Sequence, residues 1–142
     1  MGQIYSLTSD EAEKIMAEAI QILKQNDLAA SIVITNRDGT EIAKSVMDGV
    51  DPFTAHVASL KAQQAAWTGQ STRKTRDEIE AGKKTAKVLG ISPKRLVPWA
   101  GGMPVYDQDS HLLGGIGVSN LSQDEDEGVA RNAITSAGFN VG

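Results

Sequence analysis

The stretch Ala100–Asn120, AGGMPVYDQDSHLLGGIGVSN, restricts what this chain can fold into more than any other part of it. Gly101-Gly102 opens the stretch, and only a residue without Cβ takes positive φ or a close backbone approach cheaply. Met103 to Tyr106 reads as a short extended run. Asp107-Gln108-Asp109-Ser110 is a polar turn of the kind whose side chains bond their own backbone. Leu112 to Val118 returns as a second strand, so the unit is a β-hairpin. Gly114, Gly115 and Gly117 lie inside that returning strand and weaken it. Glycines there mark a bulge, a bend, or a place where another backbone or a ligand comes close. The ligand reading is the first pointer to function.

The chain has 142 residues. That is one domain, 1–142, long enough to bury roughly two-thirds of its unfolded surface. It has no cysteine, which excludes disulfides, thiol catalysis and thiolate metal sites. A net charge of −4 argues against nucleic acid as the main partner. The start shows no secretory pattern and no apolar run reaches the roughly 18 residues of a membrane helix. A cytoplasmic protein without a membrane partner is therefore expected. Eight of the fourteen basic residues fall between Arg73 and Arg95, against the acids Asp77, Glu78 and Glu80. Such a run is ordinarily a solvated helix face; the sharper reading is an anion-attracting rim beside a pocket.

The rest of the chain supplies the frame. Thr8 and Glu11 have capping-box spacing, followed by an apolar stripe over Ala12, Ile15, Met16, Ala19, Ile20, Ile22 and Leu23 that ends near Asn26. Ala30–Asn36 is a β-branched strand, Asn36–Gly39 a hairpin turn, and Thr40–Ser45 the partner strand. Phe53–Thr68 is a second helix carrying Ala55, Ala58, Ala62, Ala65 and Ala66, a face suited to close packing on a sheet or on another subunit. A third helical segment, Arg73–Leu89, is open to a break near Gly82. Leu96–Ala100 reads as an extended edge segment because of Pro98. The acids Asp124–Glu127 precede a closing helix, Gly128–Ala137, where they complement its dipole. The sum is an α+β domain, a five-stranded antiparallel sheet with about four helices.

No spacing alone marks a catalytic constellation. His56 and His111 lack ligand-spaced partners, so no metal site is expected. Lys61 interrupts the alanine helix; such a lysine either projects at a pocket or snorkels to water. Asp48, in the loop Val46–Pro52, is by itself a turn residue.

Taken together, Asp38-Gly39, Met47-Asp48-Gly49, Lys61-Ala62, Gly101-Gly102-Met103-Pro104, Gly115-Ile116-Gly117-Val118-Ser119 and Asp126-Glu127-Gly128-Val129-Ala130 resemble the GlcG/HbpS family. This is the haem-binding and haem-degrading-related domain also found at the C-terminus of PduO-type proteins. The resemblance spans nearly the whole chain. It departs from the family pattern at Val46, where an arginine is usual, and at Asn120, where a glycine closes the G-V-S-G motif. It implies a profilin-like fold and a symmetric homo-oligomer.

Three functions follow as expectations. The first is a small-molecule binder for haem or another planar anionic ligand. Its pocket would be formed by Met47, Asp48, Lys61, Gly101, Gly102, Pro104, Gly115, Gly117 and Ser119, with bared glycine amides at the ligand. The second is a small catabolic enzyme of lyase type, acting on a small aromatic or hydroxylamino acid, with Lys61 and Asp48 transferring protons. The third is an oligomeric scaffold joined through the alanine face of the second helix.

Overall fold

A computed structural model describes residues 4–142. Helix α1, Ser9–Gln25, begins at Thr8 with both hydrogen bonds of the capping box and ends at Asn26. Strands β1, Ser31–Asn36, and β2, Glu41–Val46, form the first hairpin. Helix α2 spans Phe53–Thr68. The basic segment is split into α3, Thr72–Glu80, and α4, Ala86–Leu89, with Gly82 between them in the left-handed region at φ 74°. A 3-10 turn covers Pro93–Arg95. Strands β3, Gly102–Tyr106, and β4, Leu112–Ser119, make the glycine-rich hairpin, and α5, Gln123–Ser136, closes the chain.

The sheet has four antiparallel strands in the order β2-β1-β4-β3. The expected fifth strand is absent among the described residues. After the 3-10 turn, Leu96–Ala100 stays irregular, and the Val97 amide donates to the Gln64 side-chain oxygen at 2.9 Å instead of to a neighbouring strand. Pro98 has no amide to donate, so this segment cannot extend a ladder. The α+β class stands with this correction and with five α-helices among the described residues.

Period-two alternation divides the sheet into two unlike faces. Ile32, Ile34, Met103, Val105, Ile116 and Val118 meet the stripe of α1 and Val129, Ala130, Ala133 and Ile134 of α5 in the main core. The other face carries Val33, Gly102, Gly115 and Gly117, and α2 lies on it through Ala58 and Ala62. A Cβ at Gly117 would overlap the Ala58 carbonyl oxygen, and one at Gly115 the Ala62 carbonyl oxygen. One at Gly102 would stand 2.5 Å from the Lys61 carbonyl oxygen. The close approach implied by these glycines is therefore made by the α2 backbone and not by a ligand. Ala58, Ala62, Ala65 and Ala66 are fully buried within the chain, so the alanine face is not available to join subunits.

Candidate functional site

Lys61 is only 2 % exposed. It sits on α2 one residue from the alanine row, so the contact that seats the helix on β4 also carries its side chain inward. Its Nζ donates to the Val118 carbonyl at 2.9 Å and to Asp126 Oδ2 at 3.2 Å. Asp126, 3 % exposed, comes from the first turn of α5, and its Oδ1 accepts from the Leu121 amide at 3.1 Å. Burial pulls the Lys61 ammonium below its ordinary pKa, opposed by the attraction of Asp126. Burial likewise pushes the Asp126 carboxyl up, opposed by Lys61 and by the amides of Leu121 and Asn120. Each group is costly to charge there without the other.

A cavity of about 390 Å³ opens over this pair. Asp51 and Thr54 line it at the start of α2, Ser119 and Asn120 at the end of β4, and Trp99 and Gln123 at the rim. Asp51 Oδ1 accepts from the Phe53 amide at 2.9 Å, and Thr54 Oγ1 pairs with Ser31 Oγ at 2.9 Å, so both are pinned by local bonds. Gln123 Oε1 accepts from the Ala100 amide and from Arg76, each at 3.0 Å, which brings a guanidinium beside the rim. Trp99 remains 45 % exposed, an aromatic wall for a flat ligand.

Of the residues expected from the sequence, Lys61 and Ser119 line this cavity. Gly101 backs it, because at φ 124° it passes where a Cβ would stand 2.8 Å from Lys61 Nζ. Gly102, Gly115 and Gly117 are buried under α2 and bare no amides to a cavity. Pro104 is buried on β3 in register with Gly115. Met47 packs against the main core and Asp48 lies in the following turn; neither lines the cavity. Val46, at the end of β2, is also outside it. By sequence Asp126 is one of four acids that complement a helix dipole. Its signal was the lysine: a buried cation needs an anion, and α5 begins five residues earlier than expected, which turns Asp126 inward. Asp51, Thr54, Trp99 and Gln123 carried no signal by spacing.

Asn120 occupies the usual glycine position at φ 132°, a strained conformation for a residue with a side chain. Its Nδ2 donates to the Ala29 carbonyl at 2.9 Å, which offsets part of that strain. Asn120→Ala keeps the strain and loses the bond, and is expected to cost about 1 kcal/mol. Asn120→Gly relieves the strain and should be neutral or stabilising; urea unfolding distinguishes the two.

A family model described as haem degrading protein HbpS-like matches residues 7–135. The chain belongs to this HbpS-like family. Over 137 residues it is 24 % identical to the corrinoid adenosyltransferase PduO of Salmonella typhimurium. The match covers 96 % of this chain and 40 % of that relative, so the HbpS-like chain spans well under half of it. In structure it is similar to the Klebsiella pneumoniae protein ORFY at a TM-score of 0.85 and 20 % identity, covering 96 % of this chain and 94 % of the other. It is similar also to PduOC in a PduOC:heme complex, at 0.84 and 21 %, covering 96 % and 98 %. These likenesses establish the fold. Among the described residues no helix is long and apolar enough to cross a membrane.

Proposed function

We propose that this HbpS-like chain is a small-molecule-binding protein that takes haem or another planar anionic ligand at the Lys61–Asp126 cavity and works as a symmetric homo-oligomer. The observation that carries the reading is the buried ion pair at the floor of an open cavity. Well-packed apolar residues at such a place are often as stabilising as a buried ion pair or more so, so stability alone does not account for the pair. The volume lies within the ordinary range for ligand pockets, roughly 300–1,000 Å³. Trp99 offers a stacking wall, and Arg76, paired with Asp77 at 3.0 Å, stands behind Gln123 at the rim as the cation a ligand carboxylate would share. Family membership and the haem complex of PduOC support the ligand class.

The donor set qualifies the haem reading. The lining holds no histidine, methionine, cysteine or tyrosine, the usual protein ligands of haem iron. Among the described residues His111 is tied to Asp107 at 2.9 Å, and His56 is exposed on α2. The cavity therefore suits a planar ring and its carboxylates better than the iron. Titration with haem and with iron-free protoporphyrin tests this. Comparable affinity for both is expected, with Trp99→Ala weakening each about tenfold, equivalent to about 1.4 kcal/mol of lost ring contact. Failure of both to bind with defined stoichiometry would remove the reading, and a monomer in sedimentation would remove the oligomer.

The second reading, a small enzyme of lyase type acting on an aromatic or hydroxylamino acid, is favoured by the 3.2 Å contact between Lys61 and a carboxylate. Asp126 there takes the proton-transfer part expected of Asp48. Lys61, its pKa drawn down by burial, can then exchange a proton at the cavity floor.

A further inference from the structure

We infer that Lys61 is an imine-forming amine, and that the cavity takes a flat aromatic aldehyde or ketone whose carbonyl carbon reaches Nζ. This rests on the cavity being a ligand site, and it extends that reading from binding to a covalent step. Four observations meet here. Lys61 Nζ is held at the floor of the cavity by two acceptors, Val118 O and Asp126 Oδ2, and an ammonium has three hydrogens, so one is left over. A carboxylate stands at 3.2 Å, close enough to take and return a proton. The Thr54 and Ser119 side chains border the same space, where a hydroxyl intermediate would need polar neighbours. Trp99 provides the flat wall, and Gln123 at the rim leads to Arg76, whose guanidinium is held by Asp77 at 3.0 Å and would have to share that bond with an acid group at the far end of the ring.

The step balances without oxidant or reductant. The Lys61 ammonium passes one proton to Asp126, leaving a neutral amine whose lone pair attacks the carbonyl carbon. The carbonyl π pair moves to oxygen, and a proton passes from nitrogen to that oxygen, giving a carbinolamine. Asp126 then protonates the hydroxyl, which leaves as water while the nitrogen lone pair forms the C=N bond. The product is a protonated imine beside the Asp126 carboxylate. One cation and one anion face each other before and after, and in between the two are neutralised together, so neither charge is left buried alone. Desolvated lysines with accessible neutral forms are the usual amines of this chemistry.

The test incubates the full chain with 4-carboxybenzaldehyde and cyanoborohydride at pH 7, then maps the reduced adduct by peptide mass spectrometry. The other eight lysines supply the internal reference. They are exposed except the half-buried Lys84, which is paired with Glu78 at 2.6 Å. Adduct at Lys61 at least tenfold above their mean is the expected result. Labelling of Lys61 at or below that mean overturns the inference, and needs no variant that has to fold. 4-(Hydroxymethyl)benzoate, which has the same ring and acid but no aldehyde carbon, reports occupancy separately by saturation-transfer NMR. If it binds while Lys61 stays unlabelled, the imine fails and the ligand site stands. If it does not bind and Lys61 stays unlabelled, both fail.

Discussion

Lys61→Met is expected to destabilise the fold by about 3–5 kcal/mol at neutral pH, because it leaves a buried carboxylate without its cation. Asp126→Asn should cost a similar amount by stranding the cation. The double variant should recover most of the loss, since neither charge then remains to be desolvated. The two single variants tilt in opposite directions with pH. In Lys61→Met, burial holds the Asp126 carboxyl above its ordinary pKa, now unopposed by a cation. The folded chain keeps a proton that the unfolded chain has released, so the deficit is smallest below the ordinary aspartate value. It grows as pH rises through the folded value. In Asp126→Asn, burial holds Lys61 below its ordinary pKa. The folded chain has lost a proton that the unfolded chain keeps, so the deficit shrinks as pH rises toward the ordinary lysine value. Urea unfolding of wild type and variants at pH 5, 7 and 9 gives these slopes; parallel curves would mean that the pair is not ionised as described.

Gly117→Ala should be among the most damaging single-methyl additions in the molecule. The new Cβ would overlap the Ala58 carbonyl oxygen and lie 2.8 Å from the Ala62 amide nitrogen. Both are backbone atoms of a helix, which cannot swing aside as a side-chain tip can. Overpacking of this kind costs about 3 kcal/mol, and the relief available is a shift of α2 away from β4. Such a shift would draw Lys61 from Asp126, so loss of stability and loss of ligand binding should appear together. Gly128→Ala is the matched control. Gly128 lies inside α5 with nothing within 4 Å of an added Cβ, and alanine there should stabilise by roughly 0.5–1 kcal/mol. Thermal unfolding of the pair checks both signs, and an unperturbed Gly117→Ala would contradict the close seating of α2.

Where local rules decide, the residues announce the structure. Thr8 with Glu11 specifies the start of α1, and Gly39 the first turn. Pro98 keeps Leu96–Ala100 out of the middle of a sheet, but the local pattern places the segment at a sheet edge, whereas Val97 turns its amide to Gln64. The glycines of β4 announced a close approach but not what approaches. Gly and Ala facing each other across a helix–sheet boundary say the same thing twice, and only the fold shows that each explains the other. The candidate site was half legible. A lysine in an alanine row stands out, but its partner is 65 positions away and hidden among four consecutive acids. Three of those four remain at the surface in some degree; one is turned in by the Ser122 capping box, which sets the phase of α5. That phase follows from a cap two residues before the acids, not from their charge.

The tight seating of α2 divides the cavity into an anvil and an adjustable jaw. The floor is keyed to the sheet by interlocked main chain, so drift in sequence cannot easily relocate the amine. The opposite wall hangs on Trp99 and on a segment without ladder bonds, anchored at Val97 and Ala100 by single amide bonds to side chains, so the exposed positions between those anchors can change without moving the sheet. Divergence among such proteins in what they hold is then expected to accumulate between the end of α3 and the start of β3, with the chemistry at the floor unchanged.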